Sequence, residues 1–240
     1  MKHLKSYKIF ENIQTDEEIH ELCKKYRIKN YTINEDKSID VSRSVNLASK
    51  NLTKLPLKFK NVSGNFYCYD NNLTTLEGAP ETVDGYFSCG SNNLTTLEGS
   101  PRRVSGNFNC RNNRLTTLEG SPETVGGFFS CGGNNLTTLE GSPRRVSGDF
   151  YCSDNKNLMS LEGITPTIHG DFYCLYTPVK YFWKEFLNRD KSLIDSFVEE
   201  WDVIHEDTVI IEVLEGWMED NNINVEIDIE KIKSLGYKIG

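Results

Sequence analysis

The chain has 240 residues, 37% of them hydrophobic, with 27 Lys and Arg against 35 Asp and Glu and a formal charge of -8. That acidity argues against nucleic acid as a partner, and no apolar run is long enough to span a bilayer. The charge is uneven: residues 1–177 carry 20 acidic and 20 basic residues, so the whole excess lies in 178–240, with 15 acidic against 7 basic.

At the N-terminus, "MKHLKSYKIFENIQ" contains no secretory signal, and a cytosolic setting is expected. Thr15 and Glu18 have the spacing of a capping box. They open a predicted helix reaching about Arg27, with Ile19, Leu22, Cys23 and Tyr26 on one side. "YTINEDKSIDV" then reads as a hairpin turning near Glu35 and Asp36. Residues 1–40 thus form a first cap.

A repeat occupies residues 41–177. Cys68, Cys89, Cys110, Cys131, Cys152 and Cys174 recur every 21 residues, with one extra residue near Lys156. Two places before each stands Phe66, Phe87, Phe108, Phe129, Phe150 or Phe172, and four places before each stands a glycine. Six places before stands Val62, Val83, Val104, Val125, Val146 or Ile168. Alternation of this kind predicts a strand with one buried face. Downstream come Asn71, Asn92, Asn113, Asn134 and Asn155, each followed by two leucines. An earlier copy, "VNLASKNLTKLP", brings the expected number of turns to about seven.

The last segment, 178–240, holds all three Trp. "VKYFWKEFL", "SLIDSFVEEWDVI" and "DTVIIEVLEGWMED" have helical apolar spacing, and "NVEIDIEKIKSLGYKIG" reads as a strand, a short helix and a final strand. It is expected to be a mainly helical cap, large enough to offer a second interaction surface.

In this frame "FNCRNNRLTTL" matches the leucine-rich repeat pattern LxxLxLxxNxLxxL, and the chain resembles that family over about residues 41 to 178. Phe and Cys stand where Leu is usual, and the glycine before the strand fits the short-repeat bacterial type. The flanking segments add a likeness to repeat proteins of large tailed phages. The resemblance implies an α/β-type solenoid with a parallel sheet of about seven turns between two caps. Single turns cannot bury their apolar side alone, so the turns must stack around one continuous core.

Six of the seven cysteines fall on the inward side of that frame and none forms a CxxC pair, so they are expected to be reduced core residues, binding no metal. The recurring Asn is expected to satisfy backbone groups in the bend after each strand. Alternating "PETV" and "PRRV" should bring Glu81, Arg102, Glu123 and Arg144 side by side. Glu77, Glu98, Glu119, Glu140 and Glu162 form a like-charged column expected to face water.

Between the inward places lie outward ones, which a solenoid displays on its concave face. They include Tyr67, Tyr69, Tyr86, Arg111, Phe128, Tyr151 and Tyr173, residue types enriched in binding anchors. These seven are the candidate partner-binding residues.

Catalysis finds little support. His3, His20, His169 and His205 are scattered, only His169 falls on a concave place, and no phosphate-binding glycine loop is present. Repeat proteins of the bacterial type can be ubiquitin ligases with a catalytic Cys after the repeats, but none of the 62 residues after Pro178 is Cys. No cofactor is expected. The expected function is non-enzymatic binding of a protein partner, such as a bacterial host factor if the phage likeness holds, with inhibition of host defence as one use. An alternative is an internal capsid protein, because "MKHLKSYKIFE" ends in Ile9, Phe10 and Glu11, similar to the cleavage signal of phage targeting peptides. An enzyme built on the acidic C-terminal carboxylates is a third, simpler to read as a solvated face.

Overall fold

The computed structural model describes residues 15–165, 167–185, 193, 197–198, 202–205 and 207–240. The Ile9-Phe10-Glu11 signal and His3 lie outside the described residues. The chain is a β-solenoid with a helix and hairpin at one end and short helices at the other.

Helix α1 (Asp16–Lys25) starts at the expected capping box: Thr15 accepts from the Glu18 N–H while the Glu18 carboxylate accepts from the Thr15 N–H. Its apolar side buries Ile19 and Cys23. Strands β1 (Tyr31–Ile33) and β2 (Ile39–Val41) pair antiparallel as the predicted hairpin. In its turn, Lys58 and then Ser38 hydrogen-bond Asp36 and hold that carboxyl well below the usual carboxylate range.

Each turn of the solenoid carries two strands, where the Val-x-Gly-x-Phe-x-Cys frame predicts one. β3 (Val45–Asn46), β5 (Phe66–Tyr67), β7 (Phe87–Ser88), β9 (Phe108–Asn109), β11 (Phe129–Ser130), β13 (Phe150–Tyr151) and β14 (Phe172–Tyr173) form one sheet of seven parallel strands. β4 (Phe59–Val62), β6 (Thr82–Val83), β8 (Arg103–Val104), β10 (Thr124–Val125) and β12 (Arg145–Val146) continue β1 and β2 as the other.

The glycine between Val and Phe explains the break. Gly85, Gly106, Gly127, Gly148 and Gly170 stack directly, each donating its N–H to the glycine carbonyl of the turn before at 2.9–3.1 Å. A Cβ on Gly106 would meet the Gly85 carbonyl oxygen at 2.6 Å, so the chain bends there only without side chains.

Inside, the register is the expected one. Phe66 through Phe172 align strand to strand, with Phe66–Phe87, Phe87–Phe108 and Phe108–Phe129 stacked at 5.3–5.5 Å. The repeat cysteines, all free thiols, and the paired leucines are buried beside them. Burial pushes the thiols of Cys68, Cys89, Cys110, Cys131 and Cys152 well up from their ordinary value, so they stay protonated.

After each strand, Ser49, Asp70, Ser91, Asn112, Gly133, Asp154 and Tyr176 take a left-handed conformation with φ of 53–65°. The bend so made points the next Asn inward. Asn92 Oδ1 accepts the Leu73 N–H at 2.9 Å, and its Nδ2 donates to the carbonyls of Cys68 and Cys89 at 3.0 Å each. One amide therefore bonds its own turn and the preceding one, and Asn113, Asn134 and Asn155 repeat the pattern.

The Glu81, Arg102, Glu123, Arg144 column is in register, and Arg102 Nε lies 2.9 Å from Glu123 Oε1. Both side chains are exposed, so solvent screens the pair and it adds little to stability. Glu77, Glu98, Glu119, Glu140 and Glu162 are all exposed.

The far cap differs from its helical reading in detail. Helix α2 (Lys180–Glu185) is followed by β15 (Ile204–His205) and β16 (Thr208–Val209), an antiparallel hairpin within segments whose apolar spacing reads as helical. Helices α3 (Ile211–Asp220) and α4 (Ile229–Ser234) and a final strand β17 (Lys238–Ile239) follow, and the strand predicted between α3 and α4 is not formed. Two-residue strands are too short for period-2 alternation to emerge over a helical one. Rings lock the cap to the last turn: Trp183 meets Phe172 edge-on at 5.1 Å, Phe182 meets Tyr237 at 5.1 Å, and the Tyr237 hydroxyl donates to the Met159 carbonyl at 2.6 Å. Among the described residues no helix is long and apolar enough to cross a membrane.

Candidate functional site

Outward positions of the seven-stranded parallel sheet hold the seven candidate residues, and the structure draws the six aromatic ones into one file. Tyr69 meets Tyr67 at 6.0 Å, Tyr67 meets Tyr86 at 5.8 Å, Tyr86 meets Phe128 at 5.8 Å and Phe128 meets Tyr151 at 5.8 Å. Those four contacts are edge-to-face, and Tyr151 then stacks flat on Tyr173 at 4.7 Å. The file runs from β5 to β14 without a gap.

One link is not a nearest-neighbour contact. Tyr86 and Phe128 belong to strands two turns apart, about 10 Å at sheet spacing, yet their ring centroids are 5.8 Å apart. The rings lean toward each other over the intervening turn, where Asn109 Nδ2 donates to the Tyr86 hydroxyl at 3.0 Å. An isolated exposed Phe128 would be costly; between Tyr86 and Tyr151 it is half-buried.

Polar residues of this face are partly engaged. Asn65, Asn107 and Asp149 use one side-chain oxygen to accept the backbone N–H of Tyr86, Phe128 and Asp171 at 2.8–2.9 Å. They hold neighbouring turns together. Asp149 also accepts from the Tyr151 hydroxyl at 2.7 Å, and that bond pushes the phenol up to about 12. Asp171 does the same for Tyr173, raising it in the same direction.

Beside the file lies an open depression of about 520 Å³, lined by Tyr86, Arg111, Phe128, Gly132, Tyr151 and Asp154 among others. Gly132 leaves room where Arg111 and Ser153 carry side chains in the adjoining turns. Arg111 is exposed at the rim. The depression thus offers a cation, a carboxylate and ring edges across four successive turns, a mix suited to holding side chains of a partner.

Among the described residues that line the depression there is no thiol or imidazole. All six repeat thiols are buried on the other side of the sheet, and His169 is exposed at the bend before β14. Among the described residues no group of three or more His, Cys, Asp or Glu side chains is gathered to hold a metal ion.

At the file's closing end the sequence reading named Tyr173 but missed Tyr176. Tyr173, Leu175 and Tyr176 are three of the five large apolar residues exposed among the described ones. Tyr176 is left out of the candidate residues, although its signal is present: it stands where the other turns have Ser, Asp, Asn or Gly. Compared with protein-family models, with curated proteins and with solved structures, the chain matches none.

Proposed function

We propose that this protein is a non-enzymatic binding module of the leucine-rich repeat type, which docks a protein partner on the aromatic file of its seven-stranded parallel sheet. The observation that carries the reading is the unbroken run of six rings, Tyr69 to Tyr173, beside a depression rimmed by Arg111. Tyr and Arg dominate binding energy at interfaces because they bury large, stiff surfaces and still offer polar ends. A solenoid face is rigid before binding, so little ordering entropy opposes association.

The likeness to repeat proteins of tailed phages supports a bacterial host protein as the partner and the host cytoplasm as the place. Inhibition of a host defence factor is one function such a module would serve. The reading is tested by comparing what the wild type and a Tyr86→Ala, Phe128→Ala, Tyr151→Ala variant retain from bacterial lysate. A band lost in the variant, with its fold intact by circular dichroism, supports the file as the docking surface. Identical catches dismiss it.

A further inference from the structure

The sheet that carries the aromatic file ends at β14, beyond which no described strand pairs. In the interior turns, the N–H of the strand phenylalanine donates to a carbonyl of the following turn: Phe66 to Tyr86, Phe87 to Asn107, Phe108 to Phe128, Phe129 to Asp149 and Phe150 to Asp171, all at 2.8–2.9 Å. At Phe172 the series stops. β14 is the last strand of its sheet, and no described residue accepts the Phe172 N–H.

Where an eighth strand would lie there is a groove of about 400 Å³. It is bounded by Asp171 to Leu175 of the edge and by Lys180, Trp183 and Lys184 of α2. The inner place of the missing turn is already taken, because Trp183 packs edge-on against Phe172. No described residue fills its outer place: Tyr173 and Leu175 are exposed there, and Tyr176 beside them is 76% exposed. A tyrosine at φ 59°, in a position that elsewhere holds small or polar residues, is a costly choice unless its ring is used.

We propose that the free edge of β14 binds an extended peptide segment of a partner as an eighth parallel strand, with a small residue facing Trp183 and an aromatic one facing outward against Tyr173. Backbone pairing supplies affinity and the alternate side chains supply selectivity. An aromatic at the outer place would lengthen the existing file by one ring. This edge is separate from the depression beside Arg111, so either site can fail without the other.

The test uses the full chain and a fluorescent peptide with the sequence of residues 147–155 carrying Phe150→Ala and Cys152→Ala, which keeps the strand register and the outward Tyr151. Saturable binding is expected, followed by fluorescence anisotropy. It should weaken at least tenfold in a Leu175→Ser, Tyr176→Asn variant, where Asn suits the left-handed backbone, and at least tenfold for a peptide N-methylated at the tyrosine amide. A Tyr86→Ala, Phe128→Ala variant should bind it within twofold of wild type. Absence of saturable binding at millimolar peptide, or equal binding by the edge variant, overturns the proposal. So does a concentration-dependent dimer in sedimentation that the edge variant abolishes, which would assign the edge to a second copy of this chain.

Discussion

Asn113 Nδ2 donates to the carbonyl of Cys89 at 3.1 Å, reaching 24 residues back along the chain to the preceding turn. The same amide nitrogen donates to Cys110 of its own turn at 3.0 Å, and Oδ1 accepts the Leu94 N–H at 3.0 Å. One buried side chain therefore ties together backbone groups of two coils, sharing the Cys89 carbonyl with Asn92 and the Cys110 carbonyl with Asn134.

Replacing Asn113 with Ala takes the acceptor from the buried Leu94 N–H and one of two amide donors from each cysteine carbonyl. A buried unsatisfied polar group costs about 1–3 kcal/mol, so Asn113→Ala is expected to lose about 1–3 kcal/mol in urea unfolding. Asn113→Asp keeps the acceptor but buries a charge without its donors, and is expected to be no better. A loss under about 1 kcal/mol would mean that water replaces the amide.

Gly106 tests the corner between the two sheets. Its missing Cβ would sit 2.6 Å from the Gly85 carbonyl oxygen, and that backbone cannot rotate away as a side chain can. Gly106→Ala should cost about 1–3 kcal/mol or more, as forced overpacking does. Ser105→Ala, at an exposed neighbouring position, is the control and should leave the urea midpoint within experimental scatter.

The thiol column predicts alkaline instability with a definite sign. In the folded chain burial raises the pKa of Cys68, Cys89, Cys110, Cys131 and Cys152 above the unfolded value of about 8.5. Stability from these groups is fully present below that pH and is lost above it, because the unfolded chain then sheds protons that the folded chain keeps. Each thiol contributes a fall of about 1.4 kcal/mol per pH unit, so five together give about 7. Urea midpoints in reducing buffer at pH 7, 9 and 10 should show a flat region and then a steep drop. Iodoacetamide at pH 8 should leave these thiols unmodified until denaturant is added.

Much of this architecture is legible in the sequence because the core repeats itself. A 21-residue step in Phe, Cys, Asn and Leu fixes the register of every turn, and the outward aromatics follow by alternation. Three features are not legible. Gly106 and its counterparts read as small members of one strand, since periodicity shows which side a residue faces and not how closely two backbones approach. The pairing of Tyr86 with Phe128 skips a turn, and nothing in a column of nearest neighbours announces that two rings lean together over Asn109. The C-terminal cap has no repeat to average over, and its two-residue strands around Ile204 and Thr208 lie within helical apolar spacing.

The aromatic file as a docking surface is tested most directly by a photo-crosslinking amino acid placed at Phe128 and, in a second protein, at Glu98, which is exposed outside the file. Irradiation in bacterial lysate should give one discrete adduct from position 128, absent from position 98 and suppressed by adding Tyr86→Ala and Tyr151→Ala. Adducts of equal yield from both positions, or adducts from position 98 alone, would contradict the account.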